Sequence, residues 1–217
     1  MRLRNVKGAR QMIEAHPQYI IDDQENTMLQ LDKLFASTKP IHIEIGMGKG
    51  QFIYDLAASQ KDVNFIGIER FDSVIIRALE KVIEAPLENL YLLRADAMHV
   101  LQLIPPQSVE RIYLNFSDPW PKDRHHKRRL TSPQFLDRYK VLLQPLGEIH
   151  FKTDNPVLFS YSVQTITEHN MDILFKDNDI HSHENCDNIM TEFEAKFVAE
   201  GKPIHKIIAR FKEEQHG

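Results

Sequence analysis

The chain has 217 residues, 42% of them hydrophobic and 27% charged, with a formal net charge of −4. That length and balance fit one ordinary soluble domain, residues 1–217, with a sizeable core. No apolar run approaches the length of a bilayer span. The single cysteine, Cys186, excludes an intrachain disulfide and fits a reducing, cytoplasmic location.

The charge is unevenly spread. Arg2, Arg4, Lys7 and Arg10 stand without an acid in residues 1–10. No apolar stretch follows them, so a secretory signal is not expected, and residues 1–35 read as a basic N-terminal extension with a helix. Lys122, Arg124, Lys127, Arg128 and Arg129 face only Asp123 in residues 122–129. Two basic segments on an acidic remainder point to a localised polyanion contact.

Strand and helix signals alternate along the chain. Residues 40–45 form a short apolar run ending in glycines. Phe52, Ile53, Leu56 and Ala57 have helical spacing, and residues 63–68 read as a second strand. Ser73 is the expected cap of a helix facing inward through Val74, Ile75, Ala78, Leu79, Val82 and Ile83. Residues 90–93 are a third strand, 100–104 a short helix and 111–116 a fourth strand. Ser132-Pro133 opens a helix through Phe135, Leu136, Tyr139, Leu142 and Leu143. A fifth strand covers 147–152, and Asn155-Pro156 starts another helix. Late strands at about 171–175 and 205–211 are expected to pair as an antiparallel ribbon at a sheet edge. The sum is an α/β fold: a mostly parallel, seven-stranded sheet with helices on both faces. Ligands bind such sheets beyond the carboxyl ends of the strands.

The residues at those ends carry the chemistry. Strand one ends in Glu44-Ile45-Gly46-Met47-Gly48-Lys49-Gly50, where glycines permit a tight turn close to a ligand. The dinucleotide fingerprint needs a glycine where Gln51 stands, and no G-K-[ST] follows to make a phosphate loop. Strand two ends in Glu69, placed to accept both hydroxyl hydrogens of a ribose. After strand three, Asp96-Ala97 offers either an acceptor for an adenine amino group or a helix cap. Three carboxylates repel a pyrophosphate and favour the cationic, phosphate-free S-adenosyl-L-methionine. Strand four ends in Asn115-Phe116-Ser117-Asp118-Pro119-Trp120-Pro121, a loop stiffened by prolines around the only tryptophan.

That loop, continued by Lys122, Arg124, His126, Lys127, Arg128, Arg129 and Leu130, resembles the bacterial tRNA (guanine-N7-)-methyltransferase family. So do the glycine segment 43–50, Phe151-Lys152-Thr153-Asp154-Asn155 and Met190-Thr191-Glu192-Phe193-Glu194. The likeness runs in order from about residue 40 to 205. It implies a Rossmann-like class I methyltransferase fold acting on a guanine in the tRNA variable loop. It implies a cofactor site of Glu44, Gly46, Gly48, Glu69, Asp96, Ala97 and Asp118. Lys122, Asp154, Thr191, Glu192, Phe193 and Glu194 are expected on substrate. Arg124, His125, His126, Lys127, Arg128 and Arg129 are expected on RNA.

The chemistry is compatible. Guanine N7 has a lone pair and no proton, so no general base is required. Asp118 is the expected catalytic group, stabilising charge moving onto the purine; holding the cofactor's ammonium group is the other reading. Asp154, Glu192 and Glu194 are the expected acceptors for guanine's N1–H and exocyclic amine, with plain surface charge the other reading for the two glutamates. An NAD-linked oxidoreductase fails on glycine spacing, and a non-catalytic RNA-binding module leaves the ordered strand-end acids unexplained. His181, His183 and Cys186 match no standard zinc spacing, so no metal is expected. The oligomeric expectation is a monomer or homodimer.

Overall fold

The computed structural model describes residues 6–22, 27–182 and 188–213. Arg2 and Arg4 of the first basic segment, and His183 and Cys186, lie outside the described residues. Two compact units divide the chain, Met1–Pro105 and Pro106–Gly217.

The first unit contains α1 (Ala9–Glu14), β1 (Ile20–Asp22), α2 (Leu31–Leu34), β2 (Ile41–Ile45), α3 (Gln51–Ser59), β3 (Asn64–Glu69), α4 (Asp72–Glu84), β4 (Leu90–Arg94) and α5 (Val100–Leu103). Its strands lie in the order β1-β4-β3-β2, and every pairing is parallel. Strands β2 and β3 are buried almost throughout, and Ile43, Phe65, Ile66 and Leu92 have no exposed surface. A parallel strand buried on both faces tends to a continuous apolar run, as in Phe65–Ile68 of β3, whereas β2 alternates and buries His42 and Glu44 as well.

The second unit contains β5 (Val109–Asn115), α6 (Pro133–Leu142), β6 (Leu143–Thr153), α7 (Pro156–Glu168), β7 (Met171–Asp177), α8 (Glu192–Ala199) and β8 (His205–Phe211). A short 3-10 helix, Asp123–Arg128, lies between β5 and α6. The strand order is β5-β6-β8-β7. β5 and β6 are parallel, while β8 runs antiparallel to both β6 and β7. The late antiparallel ribbon is therefore present.

Three expectations are adjusted. The described residues form eight strands rather than seven. The added one, β1, sits inside the segment read as an extension; at three residues it is too short for periodicity, yet Ile20 is buried and pairs with Leu92. Second, α4 begins at Asp72 with Phe71 as N-cap, so Ser73 lies within the first turn and makes no cap. Ile76 joins its buried face, while Val74 and Ile83 are only half-buried. Third, β6 begins at Leu143 and carries an irregularity where Leu146 takes φ 65°. Pro145 and Gly147 break the pattern that would have shown it.

Gly50 ends the glycine turn at φ 72° and is the N-cap of α3. A Cβ there would lie 2.6 Å from the Ala78 Cβ, so helix α4 packs against bare backbone. Gly50→Ala is expected to cost at least about 1–2 kcal/mol from the left-handed conformation alone, with the collision added. Chemical denaturation checks this, and an unchanged midpoint refutes it.

Candidate active site and RNA-facing segment

In the first unit, in-register parallel pairing places the acids. Ile45 lies opposite Ile68, and Glu69 opposite Arg94, so β2, β3 and β4 end at one level. The glycine turn is pinned there: the amides of Gly46 and Met47 both donate to the Ile68 carbonyl, at 2.9 and 3.0 Å. Gly48, at φ 60°, donates its amide to Glu69 Oε2 at 3.3 Å. A Cβ on Gly48 would meet nothing within 4 Å, so the turn is open on that side.

Glu69 Oε1 accepts from the amides of Arg70 and Phe71, at 2.8 and 3.0 Å. Burial nevertheless holds its carboxyl above the usual range, against these bonds and the Arg70 charge. Asp96 serves two roles at once. Its Oδ1 accepts from the Met98 amide at 3.0 Å, capping the 3-10 turn that Ala97 begins, and its Oδ2 meets Arg70 at 3.1 Å. Burial opposes ionisation there, but the Met98 and Arg70 bonds outweigh it and hold the carboxyl below its ordinary value. Glu44 is buried on β2, 2% exposed. Sequence reasoning missed Arg70; only the fold shows that a residue 26 positions before Asp96 pairs with it. Carboxylates around a glycine turn suit a ribose diol and a cationic ligand and disfavour a phosphate. The residues present therefore fit S-adenosyl-L-methionine.

In the second unit, the chain leaves β5 through a strained loop. Phe116 has φ 49° and Trp120 φ 41°, a conformation uncommon outside glycine. The Phe116 amide still bonds to the Lys152 carbonyl at 2.9 Å. Between them Asp118 is exposed, and no described residue pairs with its carboxylate. The Ser117 hydroxyl is buried and has no hydrogen-bond partner among the described residues. Strain held beside an unpaired acid is a recurrent property of reactive sites.

The basic run that follows is sorted by its helix. In a 3-10 helix, residues three apart lie on one face. His126 and Arg129 both lie against Tyr161, with the His126 ring at 5.7 Å and the Arg129 guanidinium 4.2 Å over the ring. His125 and Arg128 both lie against Trp120, at 5.6 and 5.0 Å. Arg124 and Lys127 form the third face and are exposed, as is Lys122 before them. Arg129, expected on RNA with its neighbours, is instead 3% exposed. Its Nε donates to the Pro119 carbonyl at 2.8 Å and its Nη2 to the Trp120 carbonyl at 3.3 Å. A charge run in sequence does not show which cation turns inward.

The substrate-segment residues also divide. Thr191 and Glu194 form a reciprocal capping box at the start of α8. Glu194, expected on substrate, instead has no exposed surface; one carboxylate oxygen meets Lys152 Nζ at 2.6 Å and the other His181 Nε2 at 2.8 Å. Asn188 also donates to Glu194, and Lys152 donates to the Asn188 side chain and the Ile189 carbonyl, both at 3.1 Å. Glu192 and Phe193 project outward, and Phe193 is 54% exposed. Phe193 stacks on Phe197 at 6.2 Å, and Phe197 lies 5.7 Å from Phe116. The α8 aromatics thus reach the loop that carries Asp118. Asp154 is half-buried, with Lys202 Nζ at 4.0 Å. Among the described residues, no group of His, Cys, Asp and Glu is arranged to hold a metal.

Burial raises the Glu194 carboxyl, but the Lys152 charge and the bonds from Lys152, His181 and Asn188 pull it below the ordinary range. Its stabilising contribution is therefore complete above the unfolded-state value and is lost as pH falls through the lowered folded-state value. The melting temperature of the parent should fall more steeply in acid than that of Glu194→Gln; parallel curves refute the assignment. Glu194→Ala, which strands a buried ammonium, should cost about 3–5 kcal/mol.

The chain is similar to known proteins. Residues 38–207 match a family described as "Putative methyltransferase". A tRNA (guanine-N(7)-)-methyltransferase of Lachnoclostridium phytofermentans is 48% identical over 99% of this chain and 100% of its own. Proteins of the same name from Lysinibacillus sphaericus and Listeria monocytogenes are 47% and 46% identical, each over 97% of this chain, and covering 98% and 99% of their own. Among solved structures, the 16S rRNA methyltransferase KamB is similar with a TM-score of 0.66 at 12% identity, over 90% of this chain and 99% of that one. An antibiotic-related methyltransferase has a TM-score of 0.61 at 17% identity, over 83% and 91%. These likenesses show the α/β methyltransferase fold, and the full-length identities show that the chain belongs to the tRNA (guanine-N(7)-)-methyltransferase family.

Proposed function

We propose that the protein transfers a methyl group from S-adenosyl-L-methionine to N7 of a guanine in the variable loop of tRNA, forming 7-methylguanosine. One observation carries the reading: an exposed, unpaired Asp118 in a strained loop, followed within ten residues by a basic helix. The cofactor supplies an electrophilic methyl when bound. Glu69 would accept from its ribose and Asp96 from its adenine amino group, the turn at Gly46 and Gly48 would let it approach the backbone, and Glu44 and Ala97 would complete the lining. Guanine N7 attacks without losing a proton, so no side chain removes one. The chain's contribution is alignment and electrostatics. Asp118 faces the positive charge that the purine acquires.

Lys122, Asp154, Thr191, Glu192 and Phe193 are the residues proposed on substrate. Half-buried Asp154 and exposed Glu192 are the carboxylates proposed to accept from guanine's N1–H and exocyclic amine, and Phe193 offers a face for a base. Arg124, Lys127 and Arg128, with His125 and His126 beside them, are proposed on the RNA backbone. Among the described residues, no helix is long and apolar enough to cross a membrane. The reaction is proposed for the cytoplasm, by a monomer or homodimer.

Incubation with methyl-labelled cofactor and unmodified tRNA, followed by N7-specific strand scission, tests the whole reading. Label elsewhere than N7, or no cofactor binding, refutes it; the second result favours a plain RNA-binding module. Asp118→Ala should lower kcat by about two orders of magnitude. A rise only in the cofactor's KM makes Asp118 a binding residue instead. Changing Arg124 and Lys127 together to Ala should flatten the log–log salt dependence of tRNA binding by about 1.5, leaving cofactor affinity unchanged. Filter binding at several salt concentrations reads this directly, and a slope equal to the parent's marks those cations as mere surface charge.

A further inference from the structure

Arg129 is a buried guanidinium that no described carboxylate pairs with. Burying a cation is expensive unless other groups replace its hydration. Here the replacements are the carbonyls of Pro119 and Trp120, at 2.8 and 3.3 Å, and the face of Tyr161 on α7 at 4.2 Å. Both carbonyls belong to the loop that presents Asp118, and Trp120 is one of its two residues at positive φ. Such conformations persist only where the surroundings hold them, and they cost about 1–3 kcal/mol each. Arg129 is also the C-cap of the basic 3-10 helix, its amide bonded to the His126 carbonyl at 3.0 Å. One side chain thus joins three things: the end of the basic helix, the strained loop and α7. Trp120 is held twice from the same helix, its carbonyl by Arg129 and its ring by Arg128.

We propose that Arg129 is a positioning residue that ties the basic helix to the Asp118 loop, so that RNA held on the helix fixes the loop for methyl transfer. The inference rests on the functional reading above for the roles of the helix and of Asp118. A planar guanidinium suits this task because its fork can donate to two adjacent carbonyls while its face lies on a ring. A lysine keeps the charge but offers neither the fixed fork nor the stacking plane.

The decisive variant is Arg129→Lys, with Arg129→Ala beside it. Both should lower kcat by about tenfold or more, with little change in the KM for tRNA or in the salt dependence of tRNA binding. Trp120 is the only tryptophan, so its fluorescence reports on the loop without any need for activity. In both variants Trp120 should become more accessible to acrylamide quenching, and added tRNA should protect it less than in the parent. If Arg129→Lys restores both kcat and the parent's quenching, charge alone matters and the proposal falls. A raised KM for tRNA and a flatter salt dependence, with kcat unchanged, would instead make Arg129 a phosphate contact. Should Arg129→Ala fail to fold, Arg129→Lys, which retains the charge and most of the volume, carries the test. A parent protein that methylates no tRNA refutes the functional reading, whereas unaltered quenching in Arg129→Lys refutes the clamp; the two failures are read separately.

Discussion

Parallel pairing in register is the constraint from which the first unit's site follows. Two parallel strands in register must end at the same level, and whatever side chains follow those ends are gathered without any contact between them in sequence. Glu44 lies opposite Gly67 and Glu69 opposite Arg94, so a carboxylate, a glycine turn and a second carboxylate share one end of the half-sheet. The turn's own amides then close onto Ile68 and Glu69 rather than onto solvent. Backbone geometry, more than any side-chain pair, builds this acidic, glycine-lined edge.

The second unit solves a different problem: holding a loop in a conformation that its residues disfavour. Phe116 and Trp120 are not glycines, yet both take positive φ. The strand before the loop is anchored by parallel pairing of β5 with β6, and the loop's far end by the Arg129 guanidinium. Asp118, left unpaired at the centre, is the group that such a frame presents outward. An acid that is exposed, unbonded and rigidly carried can meet a ligand without first breaking an internal bond, which is the economy expected of preorganised electrostatics.

Two buried charges of the second unit, Glu194 and Arg129, are bonded within the chain and fix segments beside exposed polar neighbours. Glu194 and Lys152 satisfy each other and, with His181, Asn188 and Thr191, lock the start of α8. This leaves Glu192 and Phe193 projecting at a defined place. The same division occurs in the basic run, where Arg129 turns inward and Arg124 and Lys127 stay exposed. In both motifs, neighbouring residues of like type have opposite fates.

The sequence by itself determined the element order from β2 to β7, because apolar runs and cap residues are local properties. Asn155 caps α7 through the Leu158 amide at 2.9 Å, and the strand-end acids stand where alternation put them. It also carried the family, through ordered motifs. What it left open were features that depend on partners distant in the chain. The short β1 exists because Ile20 finds Leu92, 72 residues away. The burial of Glu194 depends on Lys152, and the inward turn of Arg129 depends on Tyr161 and on two carbonyls upstream. A residue's type and spacing state what it can bond. Tertiary structure alone decides whether those bonds are spent within the chain or kept for a ligand.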